Sequence, residues 1–175
     1  MEPSLPSNFL ADQATPVLVA ATADLLLKKG WMMATAESCT GGLIAGACTD
    51  LAGSSAWFER GFVTYSNAAK TELLGVDATL IDVHGAVSEA VARAMAEGAI
   101  AHSRADLAVS VTGYAEHKEE GMAGLVHFGC AMKGRPTRHV LMRYGDIGRA
   151  EVRLRALETG LKMLRDAMAG AAEAA

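Results

Sequence analysis

The feature that most constrains the fold is the junction between an apolar strand and a helix near residue 40. Residues Trp31 to Ala36 are apolar except for Thr35, without the alternation of a half-exposed strand, which favours a sheet covered on both faces. The polar segment Ser38-Cys39-Thr40-Gly41-Gly42 follows after one glutamate, and a second apolar run, from Leu43 to Leu51, then predicts a helix. A buried strand that turns directly into a helix is typical of α/β domains.

The rest of the pattern indicates helices and strands on both sides of this junction. Thr15 and Pro16 start a helix that ends at Lys28-Lys29-Gly30, because proline suits the first helical turn and glycine the residue after the last. Ser88 is expected to cap another helix that runs to about Ala101. The other predicted elements are a strand over 57–65 with a bulge or bend at 59–61, a short helix over 68–74, strands over 107–112, 125–132 and 137–144, and a final helix over 148–169. This order predicts one α/β/α domain over residues 15–170, preceded by a flexible tail at 1–14.

The final helix carries an apolar stripe with helical spacing. The stripe consists of Leu154, Leu157, Leu161, Leu164 and Met168. Such a stripe predicts packing on the sheet or on a partner subunit. We therefore expect a homo-oligomer, with a dimer favoured.

Composition and charge exclude several classes of protein. The net charge of −4 over 175 residues argues against a general nucleic-acid binder. Three cysteines without a Cys-x-x-Cys pair, and no paired histidine spacing, predict neither a disulfide framework nor a zinc site. The first residues lack the basic start and apolar core of a signal peptide, and no uncharged apolar run reaches the roughly 18 residues of a membrane span. A cytoplasmic protein with no membrane partner is expected.

The strand-to-helix junction is the first candidate for a functional site. Amide groups at a helix start are unpaired and carry partial positive charge, and Gly41 and Gly42 have no Cβ to hold a ligand away. The turn is therefore a possible cradle for a phosphate or a developing oxyanion. Ser38 would project into the crevice at the carboxyl edge of the sheet. The simpler interpretation is that Ser38 or Thr40 caps the helix and that the glycines allow close packing.

A serine nucleophile needs a base, and Lys70 is one candidate. It follows the polar segment Thr64-Tyr65-Ser66-Asn67 at the end of a strand. A lysine removed from water in a crevice can lose its proton near neutral pH and act as a base. The alternative is an ordinary solvated lysine on a surface helix.

Three further positions each have a functional and an ordinary interpretation. Thr112-Gly113 ends a strand and could face the same crevice, although a turn glycine after a strand is common. Arg149, near the start of the last helix, could hold a phosphate through two hydrogen bonds, or it could be a surface arginine. Cys39 could be an alternative nucleophile, but small buried thiols outnumber reactive ones.

Three longer stretches resemble a known family. TAESCTGG (Thr35–Gly42), AGSSAWFERGFVTYSNAAKTELLGV (Ala52–Val76) and HGAVSEAVARAMAEGA (His84–Ala99) are similar to the CinA C-terminal family, whose members include nicotinamide-nucleotide amidases. The resemblance extends from about residue 16 to residue 168. It implies a three-layer α/β/α sandwich with a mixed sheet of about five strands.

The resemblance also implies an activity and a set of site residues. The expected reaction converts nicotinamide mononucleotide to nicotinate mononucleotide and ammonia. By motif match, Ser38 is the expected nucleophile, and Tyr65 and Lys70 are expected to assist proton transfer. The expected substrate-binding residues are Thr40, Gly41, Gly42, Thr112, Gly113 and Arg149. No metal or cofactor is expected, because an alkoxide that attacks an amide needs only a base and an oxyanion hole.

Two segments depart from the family pattern. Family amidases continue after Thr-Gly with Ile-Ala-Gly-Pro and a glycine-rich loop, whereas Tyr114–Gly124 reads YAEHKEEGMAG. Ile147-Gly148 stands between Gly145-Asp146 and Arg149 as an apparent two-residue insertion, which could keep Arg149 from the place of its counterpart. These departures leave two alternatives to the expected amidase. One is an amidase with a changed substrate, and the other is a non-catalytic ligand-binding or regulatory protein.

Overall fold

The computed structural model describes residues 14–116 and 120–172. The helices are α1 (Ala14–Lys29), α2 (Leu43–Asp50), α3 (Asn67–Leu74), α4 (Ala78–His84), α5 (Glu89–Ala101) and α6 (Arg149–Ala172). The strands are β1 (Met33–Glu37), β2 (Phe58–Val63), β3 (Leu107–Gly113), β4 (Leu125–Met132) and β5 (Arg135–Arg143). Of the tail predicted at residues 1–14, residue 14 begins α1, and the rest lies outside the described residues.

The strands form one mixed sheet in the order β2-β1-β3-β4-β5. β1 pairs in parallel with β2 and with β3, whereas β4 is antiparallel to β3 and to β5. The predicted bulge in β2 is present, because Met33 pairs with Phe58 while Ala34 pairs with Arg60, so that Glu59 is skipped. The carboxyl ends of the three parallel strands therefore meet at one edge of the sheet.

Helices cover both faces of the sheet, which confirms the predicted three-layer α/β/α class. Helices α1, α2 and α6 contact one another on one side, and α3 and α4 contact α5 on the other. Side chains of β3 alternate between the two cores: Val109 and Val111 pack toward the first layer, and Ala108 toward the second. β1 is buried along its whole length, as its continuous apolar pattern predicted.

Helix α4 differs from the sequence expectations, and the packing of α6 decides between two alternatives that the sequence left open. Helix α4 was not predicted; Asp77 caps it by accepting a hydrogen bond from the Thr79 amide at 2.8 Å, and Gly85 ends it. The α6 stripe packs into the core, where Leu157, Leu161 and Leu164 are fully buried. The stripe therefore gives no support for a subunit interface, and the expected oligomer stays a prediction. Among the described residues, no helix is both long enough and apolar enough to cross a membrane.

Candidate active site

A cavity of about 250 Å³ lies at the edge where β1, β2 and β3 end. Its walls are formed by Ser38, Cys39, Tyr65, Asn67, Lys70, Ala86, Val87, Thr112, Gly113, Tyr114, Ala115, Glu116 and Arg149. Six of the nine predicted site residues thus share one cavity. The other three, in the turn before α2, are not part of its lining.

Ser38 and Lys70 form the contact on which the chemistry of the site depends. Lys70 Nζ donates hydrogen bonds to Ser38 Oγ at 3.1 Å and to the Thr64 carbonyl oxygen at 2.8 Å. Lys70 is 1% exposed and Ser38 is 8% exposed. Burial lowers the pKa of the Lys70 amine, because the charged form loses its hydration. The solvated-lysine alternative is therefore wrong, and the amine is suited to accept a proton from the serine.

Local structure explains why these two side chains meet. The Ser38 amide donates to the Val111 carbonyl oxygen at 2.9 Å, so β1 stays paired with β3 up to the serine. Ser66 caps α3 by accepting a hydrogen bond from the Ala69 amide at 3.1 Å. Lys70 lies one turn into α3, on the side that faces the sheet edge, and its amine is thereby directed at the end of β1.

Glu37 occupies the helix start at which an anion site was predicted. Its carboxylate is fully buried and accepts hydrogen bonds from the amides of Gly42 at 3.1 Å, Ile44 at 3.1 Å and Ala45 at 2.8 Å. Three amides and the positive end of the helix dipole compensate the buried charge. The Gly42 amide is therefore used within the chain, as is the Gly41 amide, which donates to the Ser38 carbonyl oxygen at 3.0 Å. Substrate binding by Thr40, Gly41 and Gly42 stays a prediction. Sequence reasoning missed Glu37, although a carboxylate directly before a glycine turn was a visible signal.

The turn after Ser38 is also held from the α6 side. Arg153 Nε donates to the Cys39 carbonyl oxygen at 3.1 Å, and Nη2 donates to the Thr40 carbonyl oxygen at 2.8 Å. Gly41 has φ +59°, and a Cβ there would stand 3.4 Å from Arg153 Nη2. Sequence reasoning missed Arg153 as well. The available signal was its spacing of four residues from Arg149, which places both on one helix face.

Cys39 is disfavoured as a nucleophile. Its thiol is buried, and burial raises its pKa to about 11. The reactive thiolate is therefore scarce at neutral pH. Within the described ranges, 14–116 and 120–172, no three metal-ligating side chains cluster together.

A model of the CinA C-terminal domain matches residues 16–168. The chain belongs to the CinA C-terminal domain family. It is 52% identical over 145 residues to the nicotinamide-nucleotide amidohydrolase PncC of Enterobacter agglomerans, a match that covers 78% of this chain and 87% of that protein. It is also 45% identical over 162 residues to a CinA-like protein of Syntrophus aciditrophicus, covering 90% of this chain and only 37% of that longer protein.

Solved CinA structures confirm the fold of this family member. The competence/damage inducible protein CihA of Agrobacterium tumefaciens superposes with a TM-score of 0.85 at 43% identity, covering 94% of this chain and 98% of that chain. The competence damage-inducible protein A (ComA) of Klebsiella pneumoniae superposes with a TM-score of 0.83 at 38% identity, covering 89% and 97%. The family and fold expected from the motifs are thus both shown.

The two segments that depart from the CinA pattern both reach the cavity. Arg149 lines it despite the insertion before it, and its Nη2 donates to the Tyr65 hydroxyl at 2.9 Å. Both side chains are exposed, so they bridge the α6 start and the β2–α3 connection at the cavity mouth. On the other side, Tyr114 and Glu116 line the cavity from the segment after β3. Tyr114 is fixed there because its amide donates to the Leu125 carbonyl oxygen at 2.9 Å.

Thr112 and Gly113 complete the wall between the two layers. The Thr112 hydroxyl donates to the Ala86 carbonyl oxygen at 2.7 Å, which ties the end of β3 to the connection between α4 and α5. A Cβ at Gly113 would stand 2.7 Å from Val126 Cγ2 and 2.8 Å from the Leu125 carbonyl oxygen, so only glycine fits. Both residues therefore shape the cavity wall at the end of β3.

Proposed function

We propose that this protein is an amidase that uses Ser38 to hydrolyse the carboxamide of nicotinamide mononucleotide, giving nicotinate mononucleotide and ammonia. The observation that carries the proposal is the 3.1 Å contact between the buried Lys70 amine and the Ser38 hydroxyl inside the cavity. The relative called nicotinamide-nucleotide amidohydrolase, 52% identical over 145 residues, supports the choice of substrate.

Acylation begins when neutral Lys70 removes the proton from Ser38 Oγ. The oxygen attacks the carboxamide carbon, and the carbonyl oxygen becomes the oxyanion of a tetrahedral intermediate. Lys70, now an ammonium, returns a proton to the amide nitrogen, and ammonia leaves as the C–N bond breaks. Tyr65 lines the same cavity and is proposed to assist Lys70 in these proton transfers. The product of this half-reaction is an ester between Ser38 and the nicotinoyl nucleotide.

Deacylation uses the same groups in reverse. Lys70 takes a proton from a water molecule that attacks the ester carbon, and the proton then returns to Ser38 Oγ as nicotinate mononucleotide leaves. Lowering of the Lys70 pKa by burial serves both halves, because each needs the amine without its proton.

Charges at the cavity suit the two charged parts of this substrate. The exposed Arg149 guanidinium at the mouth pairs with the phosphate. The Glu116 carboxylate in the wall favours the positively charged pyridinium ring. The Thr112 hydroxyl donates its proton to the Ala86 carbonyl oxygen, so its oxygen keeps a lone pair that can accept a hydrogen bond from the carboxamide nitrogen. The cavity has a volume of about 250 Å³, which is close to the lower limit of roughly 300 Å³ for ligand pockets.

A second candidate is an amidase for a related nicotinamide compound. The observation that favours it is the presence of Tyr114 and Glu116 in the cavity wall, where the family pattern has a glycine-rich loop. A bulky ring and a carboxylate narrow this side of the cavity and repel a phosphate. The candidate substrates are therefore less negatively charged than nicotinamide mononucleotide, such as nicotinamide riboside or free nicotinamide.

The test is ammonia release by the purified protein from nicotinamide mononucleotide, nicotinamide riboside and free nicotinamide. In Ser38→Ala the rate of ammonia release is expected to fall at least about 10³-fold. The matched neighbouring variant, Cys39→Ala, is expected to keep the wild-type rate. Ser38-dependent release that is fastest with the mononucleotide supports the first proposal. Release that is fastest with another compound supports the second candidate. If the folded protein binds these compounds and releases no ammonia, the result supports the non-catalytic alternative.

A further inference from the structure

Asn67 lines the cavity, and the proposed reaction assigns it no role. It is the first residue of α3 and precedes Lys70 by three positions. Because residues three apart share one face of a helix, Asn67 lies on the same wall of the cavity as Lys70, whose amine contacts Ser38. Asn67 is exposed, and its carboxamide has no hydrogen-bond partner among the described residues, 14–116 and 120–172. Its oxygen and its nitrogen are therefore free to bind a ligand.

The polar residues of the cavity lie at two depths. Ser38 and Lys70 are buried, and the proposed attack on the carboxamide takes place there. Tyr65 and Arg149 are exposed and contact each other at the mouth. Asn67 is two residues from Tyr65 and about 4.5 Å along the axis of α3 from Lys70, since each residue of a helix rises about 1.5 Å. It therefore lies between the reacting groups and the mouth.

We propose that Asn67 determines specificity by binding the ribose hydroxyls of the substrate, an inference that rests on the proposed amidase function. With the carboxamide at Ser38 and the phosphate at Arg149, the ribose is the part of the substrate that lies between them. Ribose hydroxyls are neutral and both donate and accept hydrogen bonds, as the Asn67 side chain does through its nitrogen and its oxygen. The neutral Asn67 thus matches the ribose, whereas the charged Arg149 matches the phosphate.

The test measures kcat/KM for ammonia release from nicotinamide mononucleotide, nicotinamide riboside and free nicotinamide. For Asn67→Ala we expect kcat/KM to fall about threefold to tenfold with both ribose compounds, the effect of losing a neutral hydrogen bond. With nicotinamide, which has no ribose, we expect a change of less than about twofold. Glu72→Ala is the control, because Glu72 is exposed on α3 and is not part of the cavity lining. A fall confined to the mononucleotide would place Asn67 at the phosphate and overturn the proposal, and so would an equal fall with all three compounds.

Substrates that lack one hydroxyl separate a direct contact from an indirect effect. The probes are analogues of nicotinamide riboside in which one ribose hydroxyl is replaced by hydrogen or fluorine. Wild-type kcat/KM is expected to fall about threefold to tenfold with at least one of them. Asn67→Ala is expected to show no further loss with that analogue, because the contact is already absent. Independent, additive losses from the substitution and from every analogue would overturn the proposal.

Binding measurements separate failure of this proposal from failure of the proposed function. Calorimetry gives the Kd of nicotinamide riboside and of nicotinamide in Ser38→Ala and in the double variant Ser38→Ala/Asn67→Ala, without turnover. If the wild type hydrolyses no nicotinamide compound, the proposed function fails. A Kd for the riboside that is about threefold to tenfold higher in the double variant, with the Kd for nicotinamide unchanged, still supports Asn67 as the ribose-binding residue. The proposal is overturned if Asn67→Ala leaves the Kd of the riboside unchanged, or if the folded protein binds no ribose compound.

Discussion

Lys70 is expected to make both activity and stability depend on pH in one direction. Burial lowers the pKa of its amine below the ordinary value of 10.5. Between these two pKa values the unfolded chain binds the proton and the folded chain does not. The unfolded state therefore binds more protons, and the free energy of unfolding rises with pH across this window. A single group contributes a slope of at most about 1.4 kcal/mol per pH unit.

The perturbation that isolates this effect is Lys70→Met. The variant removes the titrating group but leaves the Thr64 carbonyl, which accepts from Nζ at 2.8 Å, without that donor. An unpaired buried carbonyl costs about 1–3 kcal/mol, and this cost does not depend on pH. We therefore expect the wild-type minus variant difference in unfolding free energy to grow from pH 7 toward pH 10. Catalysis is expected to fall by about 10²–10⁴-fold, as for loss of a general base.

The assay is urea unfolding of both proteins at several pH values between 7 and 10, with kcat/KM measured over the same range. Lys162→Met is the control, because Lys162 is an exposed lysine on α6 that pairs with Glu158 at 3.6 Å. The control is expected to keep the wild-type slope and activity. The reasoning would be refuted if the unfolding free energies of wild type and Lys70→Met changed in parallel with pH. It would also be refuted if wild-type kcat/KM fell as pH rises from 7 to 9.

Three other substitutions test the rest of the site. Glu37→Gln should lower the unfolding free energy by about 2–3 kcal/mol in urea, because a buried charged acceptor of three amides is lost; a change below about 0.5 kcal/mol would contradict its role. Arg149→Met should raise KM at least about tenfold for nicotinamide mononucleotide but not for nicotinamide riboside, which has no phosphate; equal effects on both would show that Arg149 does not bind the phosphate. Glu116→Gln should raise KM several-fold for the pyridinium substrate, and an unchanged or lower KM would show that its charge does not favour the ring.

The strand-to-helix junction could be predicted from the sequence because its signals are local. The continuous apolar run predicted β1, the two glycines predicted the turn, and Ser88 predicted a helix start that the structure confirms. Helix α4 has seven residues and one buried apolar side chain, too little for a helical pattern to emerge. Its N-cap, Asp77, was the signal that remained unused.

Functional contacts made across the fold could not be predicted from one sequence. The burial of Lys70 depends on how α3 packs on the sheet edge, and the composition around it is that of a surface helix. Arg153 reaches a carbonyl 114 positions earlier in the chain, a separation at which sequence patterns carry no information. The Glu37 carboxylate accepts hydrogen bonds from the start of α2 only because the turn brings the helix amides back over it.

The most direct test of the central claim is trapping of the Ser38 ester with hydroxylamine. The account predicts that the wild type, given nicotinamide mononucleotide and hydroxylamine, forms the hydroxamate of nicotinate mononucleotide in a share that rises with hydroxylamine concentration, while ammonia release continues. The Ser38→Ala variant should form none. Ammonia release without any Ser38-dependent hydroxamate would mean that water attacks the amide directly, which contradicts a covalent serine mechanism.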